Sequence, residues 1–194
     1  MELSDSKVEL VARKNKVVYQ DGNRVVKVFN GTKPAGDVFN EALNVARIAE
    51  TPIKHPHVLE VSQVADGSWA LATEYVPGKT LAALMAEEGA DFDALLEKFV
   101  DLQVSVQKTA APALLSKQKE KVASMIGRVK ELDPSVRYDL QMRADRMAAG
   151  KSVCHGDFNP TNVIVGDDGE LYVCDWAHVT QGLPEADAAM TYLL

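Results

Sequence analysis

The chain changes character at Pro77-Gly78. Before that dipeptide, short runs of β-branched and aromatic residues alternate with turn signals. After it, as far as Gly150, apolar residues recur almost wholly at helical spacing. A chain patterned this way buries a small sheet on one side of a hinge and a set of helices on the other. The expected fold class is therefore α+β, divided into residues 1–76 and 77–194.

In the first part, strands are expected at Val8–Val11, Lys16–Tyr19 and Arg24–Phe29, the last two separated by the turn at Asp21-Gly22-Asn23. A helix over Asp37–Glu50 follows, with Val38, Ala42, Val45 and Ala49 on one face. Two more strands, Val58–Ala65 and Ser68–Val76, flank the turn at Asp66-Gly67. The second part reads as helices over 80–88, 92–108, 115–132 and 135–149, then a loop over Cys154–Asn162. A tight hairpin (Val163–Gly166 and Glu170–Cys174) and a helix after Pro184 complete it.

Composition narrows the functional classes. With 46% apolar and 25% charged residues in 194, this is the profile of a globular chain that needs no disulfide or metal to fold. No run approaches the ~20 apolar residues of a membrane span, so no membrane partner is expected. Met1-Glu2-Leu3-Ser4-Asp5 lacks the basic and apolar regions of a signal segment, which makes the cytoplasm the expected compartment. A net charge of −7 disfavours a protein that grips nucleic acid. Cys154 and Cys174 form no metal-ligand pattern and suit buried apolar positions in neighbouring strands. Lys117–Lys121 reads as a solvated helix face.

Several residues sit awkwardly in so plain a chain. Lys27 lies in a strand with apolar residues on both faces, Val25 and Phe29 on its own side and Val26 and Val28 on the other. Glu41 falls on the edge of an apolar helical stripe beside Val38, Val45 and Ile48. A buried charge is costly unless met, so either Lys27 and Glu41 meet each other or both reach out to water. The hairpin brings Asn162 and Asp175 to the same open end, and Asp157 lies five residues upstream in a loop bent by Gly156 and Pro160. Carboxylate and amide oxygens together suit Mg²⁺ when phosphate oxygens complete its shell. Asx-type turn residues bonding their own loop are the competing account.

His155-Gly156-Asp157-Phe158-Asn159-Pro160-Thr161-Asn162, followed by Asp175-Trp176-Ala177, resembles the aminoglycoside phosphotransferase and choline kinase-like family of small-molecule kinases, relatives of the protein kinases. The four fixed positions of this HGD-x₄-N pattern would arise by composition alone in roughly one chain in a thousand. The resemblance runs from about Val8 to the last residue. It implies a protein-kinase-like two-lobe fold: a five-stranded antiparallel sheet with one helix, then a mostly helical lobe with a β-hairpin at the site. It further implies that Lys27 holds the α- and β-phosphates of ATP and pairs with Glu41. By the same resemblance Asp157 would take or orient the proton of a substrate hydroxyl, and Asn162 and Asp175 would bind Mg²⁺. Thr73-Glu74-Tyr75-Val76 would be the adenine hinge, through the Glu74 carbonyl and the Val76 N–H. His155 would buttress the catalytic loop, Asp187 would steady it from behind, and Trp176 would pack beneath the metal loop.

Three features separate the sequence from protein kinases: HGD replaces HRD, Trp-Ala follows Asp175 instead of Phe-Gly, and only 19 residues come after Asp175. Two others depart from the family pattern. The turn Arg13-Lys14-Asn15-Lys16 has no glycine to fold its backbone over phosphates, leaving charge from Arg13, Lys14 or Lys16 as the substitute. The chain also stops at Leu194, where relatives usually continue into helices that finish the substrate site. The expected function is ATP- and Mg²⁺-dependent phosphoryl transfer to a hydroxyl of a small-molecule alcohol. A kinase-like module that binds nucleotide without turnover and a protein kinase are the alternatives; acceptor identity and oligomeric state stay open.

Overall fold

The computed structural model describes all 194 residues. Three strands come first: β1 (Val8–Arg13), β2 (Lys16–Asp21) and β3 (Arg24–Phe29). Helix α1 (Ala35–Ile48) follows, then β4 (Val58–Gln63) and β5 (Trp69–Glu74). These strands form one antiparallel sheet in the order β1-β2-β3-β5-β4. Alternation along β3 divides its side chains between two small cores. Val26 packs with Ala70 and Ala72 on one face, while Phe29 packs with Leu71 and Val38 under α1 on the other. Lys27 pairs with Val18 and Leu71 in the central register of the sheet.

The remaining chain is mainly helical: α2 (Leu81–Met85), α3 (Phe92–Lys108), α4 (Gln118–Arg128), α5 (Pro134–Arg146) and α6 (Pro184–Leu193). Side chains of Thr80, Asp91 and Asp133 accept hydrogen bonds from the first turns of α2, α3 and α5, which sets their starting points. No helix is long and apolar enough to cross a membrane.

Five short strands lie outside the first sheet. β6 (Gly78–Thr80) pairs with β8 (Val163–Gly166), which pairs in turn with β9 (Leu171–Val173). β7 (Ser152–Cys154) pairs with β10 (Thr180–Gly182). None of β6, β7 and β10 was expected as an element of its own: helix was expected from about residue 80, a loop over Cys154–Asn162, and 180–182 had no assignment, although Cys154 was expected to suit a strand beside Cys174. Each of the three has only three residues and is held by a partner at least 26 positions away, so local periodicity carries no trace of them. Gly78, at φ 148°, lies so close to β8 that a β-carbon would collide with the Val165 carbonyl.

The helices expected over 80–88 and 115–132 are shorter in the structure, at Leu81–Met85 and Gln118–Arg128. Leu114 takes a left-handed φ of 68°, which keeps the chain before Gln118 out of helix. The largest core joins the two parts: Val45 and Ile48 of α1 share it with Leu81, Phe99, Val163 and Trp176. Helix α1 is thus packed on the sheet through one side and on the helical region through another.

Candidate active site

Lys27 is the centre of a chain of ion pairs. Its Nζ donates to Glu41 Oε1 at 2.8 Å and to Asp175 Oδ1 at 3.0 Å. The second oxygen of each acid is also taken: Lys33 Nζ lies 3.2 Å from Glu41 Oε2, and Lys16 Nζ lies 3.0 Å from Asp175 Oδ2. Glu41 is buried to 1% exposure, so it meets Lys27 and does not reach water. Three lysines on two carboxylates leave one positive charge in excess here.

The electrostatics follow from this network. Burial alone would drive the Lys27 ammonium toward neutrality, but Glu41 and Asp175 outweigh it and raise its pKa above the ordinary lysine range. Burial likewise pushes the Asp175 carboxyl upward; Lys27 and Lys16 outweigh that and hold it well below the usual carboxylate range. Asp175 itself has φ 64°, a left-handed conformation uncommon for a residue with a side chain. The next residues form a short 3₁₀ turn, Trp176–His178, whose Trp176 carbonyl accepts from Asn44 Nδ2 of α1 at 3.2 Å. Helix α1 therefore supports the site twice, through Glu41 and one turn later through Asn44.

The loop before β8 is organised around Asp157. Asn159 Nδ2 donates to Asp157 Oδ1, and Asn162 Nδ2 donates to Asp157 Oδ2, both at 3.1 Å. Asn162 also donates to the Asp157 backbone carbonyl at 2.9 Å. Its own carbonyl accepts from Cys174 N–H at 2.9 Å, which ties it to the residue before Asp175. Asp157 and Asn162 therefore touch directly, whereas Asp175 is linked to Asn162 through the backbone and turns its carboxylate to the lysines.

The donor set can be tested against a divalent metal. No cluster of three or more His, Cys, Asp or Glu side chains is assembled for one. What is present is the Asp175 carboxylate and the Asn162 Oδ1, which accepts no hydrogen bond while its Nδ2 is held by Asp157. One carboxylate and one amide oxygen fit Mg²⁺, an ion that keeps several waters and takes further oxygens from phosphates. They do not make a self-sufficient protein cage.

Supporting residues lie behind this loop. His155 is fully buried, with Nε2 donating to the Cys174 carbonyl at 3.0 Å and Nδ1 accepting from Asp157 N–H at 3.2 Å. Burial lowers its proton affinity, and its ring packs 4.6 Å from that of Trp176. Asp187, at 1% exposure, accepts from Gly156 N–H at 2.8 Å and from Gln107 Nε2 at 3.2 Å. At the end of β5, Tyr75 N–H donates to the Asn23 carbonyl and Glu74 N–H to the His57 carbonyl, whereas Val76 N–H has no partner within the protein.

Some site residues escaped the sequence reading. Lys33 lies in a loop with no periodic signal. Asn44 was detectable: it is a polar residue one helical turn from Glu41 on a buried face. The glycine-free turn is fastened by Asn30, whose side chain donates to the Lys14 carbonyl and whose N–H donates to the Asn15 carbonyl. That anchoring helps to bring Lys16, alone of the three expected cations, onto Asp175.

Comparison with known proteins gives this arrangement a lineage. The chain resembles an apo aminoglycoside phosphotransferase APH(4)-Ia, a thermostable mutant, at TM-score 0.69 and 15% identity, over 95% of this chain and 71% of that one. It resembles aminoglycoside-3'-phosphotransferase of type VIII at TM-score 0.66 and 19% identity, over 98% and 78%. A choline/ethanolamine kinase family protein from Mesorhizobium loti aligns at TM-score 0.59 and 13% identity, over 98% and 64%. A probable serine/threonine-protein kinase of Dictyostelium discoideum is 25% identical over 130 residues, which are 66% of this chain but 17% of that protein's length. The structural likenesses establish a protein-kinase-like α+β fold. With residues 12–194 matching the family model itself, the chain belongs to the phosphotransferase enzyme family.

Proposed function

We propose that the protein transfers the γ-phosphate of ATP to a hydroxyl group of a small-molecule alcohol, with Mg²⁺ as cofactor. Residues 1–76 act as the nucleotide-binding lobe and residues 77–194 as the lobe that carries the catalytic loop. The observation that carries this reading is the bridge made by Lys27 between buried Glu41 and the Asp175 carboxylate. It supplies a cation braced from behind by one acid and facing another acid across the cleft. The similar structures of APH(4)-Ia include ternary complexes with hygromycin B and either ADP or AMP-PNP, which supports a nucleotide and a small molecule as the two ligands.

Each residue then has a definite task. Lys27 exchanges Asp175 for the α- and β-phosphates while Glu41 keeps its ammonium in place. The Glu74 carbonyl and the unpaired Val76 N–H hold adenine. Asn162 Oδ1 and the Asp175 carboxylate would hold Mg²⁺, which when bound neutralises phosphate oxygens. Asp157, its two oxygens oriented by Asn159 and Asn162, receives the acceptor's proton. The acceptor oxygen forms its bond to the γ-phosphorus as the bond to the β-phosphate oxygen breaks, and ADP leaves with that electron pair. Positioning and charge stabilisation supply most of the acceleration in such a step.

ADP formation measured over a panel of alcohols tests the assignment. Asp157→Asn should lower turnover by on the order of 10²-fold or more. Equal rates for wild type and variant on every acceptor would overturn it. The non-catalytic alternative is favoured by the lysines that occupy both Asp175 oxygens; thermal stabilisation by MgATP without ADP formation would decide for it.

A further inference from the structure

Lys121 departs from the solvated face expected for its cluster. Lys117 pairs with Glu120 at the surface, and Lys119 reaches the Asp145 carbonyl. Lys121 turns the other way: its Nζ donates to the His178 carbonyl at 2.8 Å and lies 3.4 Å from His178 Nδ1. The start of α4 is well anchored there, with Gln181 N–H bonded to the Ser116 carbonyl and Leu183 N–H to Gln118 Oε1. The position of Lys121 is therefore set by its fold surroundings.

That position adjoins the catalytic loop. The same His178 carbonyl packs against Gly156, so closely that a β-carbon on Gly156 would stand 2.8 Å from it. Asp157 is the next residue. The Lys121 ammonium has no carboxylate partner; its side-chain bonds are all to His178. Burial pushes its proton affinity down, as expected of a cation drawn from water without a counter-charge. With Nδ1 facing Lys121, the neutral His178 ring carries its proton on Nε2, which has no partner in the protein. The His178 Nε2 and the remaining N–H of the Lys121 ammonium, a cation with no carboxylate partner, thus flank the Asp157 loop.

Charge distribution points the same way. Between Ala111 and Gly150, in the helical region beside this loop, eight basic side chains face five acidic ones. The rest of the chain holds thirteen basic and twenty-three acidic residues. A polycation approaching Asp157 from the α4 side would meet a positive helical surface and an unpaired lysine.

We propose that the acceptor alcohol bears an anionic group, a carboxylate or a phosphate, which is seated on Lys121 and His178 Nε2 beside the Asp157 loop. This rests on the phosphotransferase reading above and adds the charge class of its substrate.

The test compares matched acceptors with MgATP: D-glycerate and glycerol 3-phosphate as anions, glycerol as the neutral form, and choline and hygromycin B as cations. At least one anionic acceptor should exceed glycerol in kcat/KM by on the order of tenfold, the worth of one charge-assisted contact. Lys121→Met should erase that preference through KM, and Lys121→Glu should turn it toward the cations. Calorimetric titration of the Mg·AMP-PNP-saturated protein with each anionic alcohol should give binding in wild type and none in Lys121→Met. Preference of wild type for a neutral or cationic acceptor, absence of anion binding, or equal losses on all acceptors in Lys121→Met would each overturn the proposal. Those results leave phosphoryl transfer intact, whereas failure to bind AMP-PNP at all would remove the reading beneath it.

Discussion

Lys27 Nζ and Asp175 Oδ1 stand 3.0 Å apart although 148 residues separate them in the chain. The contact joins the centre of the first sheet to the end of the β8–β9 hairpin, and Lys16 grips the other oxygen of the same carboxylate. The site is thus closed by charge, and its closure should respond to pH.

Because Asp175 has a depressed pKa in the folded protein, the unfolded chain binds its proton more tightly. The stability it contributes is complete above the unfolded value of about 3.9 and is lost as pH falls through the lower folded value. Urea midpoints between pH 5 and pH 2 should therefore fall less steeply in Asp175→Asn than in wild type. Lys16→Met removes one of the two cations that depress the value, so its acid loss should be smaller and should be complete at higher pH. Lys27 is shifted oppositely, with a raised pKa, so its pairing stays complete at neutral pH and is lost only as pH rises through that raised value.

Gly156 should not tolerate a side chain. Its φ is +78°, and an added β-carbon would press on the His178 carbonyl at 2.8 Å and on its Cβ at 3.3 Å. Gly156→Ala should cost about 1–3 kcal/mol by denaturant unfolding, and it should displace the loop that carries Asp157. An unchanged midpoint would show that the loop can relax elsewhere.

Asp187 binds two donors from opposite sides, Gly156 N–H and Gln107 Nε2. Asp187→Ala leaves both in the interior without an acceptor, a loss of about 1–3 kcal/mol for each group so orphaned. Asp187→Asn turns an amide donor toward Gln107, and Gln107→Glu supplies an acceptor in return. A double-mutant cycle should accordingly show favourable coupling between these two substitutions; strict additivity would mean that the contact with Gln107 is energetically idle.

The two thiols should be inert in the native state. Burial, with Asp187 nearby, pushes Cys154 up to about 12, and burial pushes Cys174 up to about 11. At pH 8 both should react with iodoacetamide on the order of a hundredfold more slowly than free cysteine, and both should label readily once unfolded. Fast native labelling of either would contradict its hydrogen-bonded environment, buried for Cys154 and half-buried for Cys174.

How far the sequence anticipates this structure differs from element to element. The strands around Asp21-Gly22-Asn23, helix α1 and the β8–β9 hairpin were legible because turn residues and apolar spacing are local properties. The meeting of Lys27 with Glu41 was partly legible, since two charges on apolar faces had to be met by something. Neither Lys33 on Glu41 nor Lys16 on Asp175 was, because a long flexible side chain on a loop or strand end has several partners within reach and only the packed backbone selects one. The inward turn of Lys121 was invisible for the same reason: sequence places it in a basic cluster, and the anchoring of α4 to β10 alone decides which way it faces.

By itself the sequence determined the succession of the longer elements, the change of pattern at Pro77-Gly78, the HGD-x₄-N motif and the demand that buried charges be paired. Those follow from short-range periodicity, turn chemistry and the cost of desolvation. Tertiary structure alone decided which lysine grips which carboxylate, that Asp157 takes both of its amide partners from its own loop, and that Asp175 looks across at Lys27. Such choices depend on distances between segments far apart in the chain, and only the shared core of α1, the helices and the hairpin sets them.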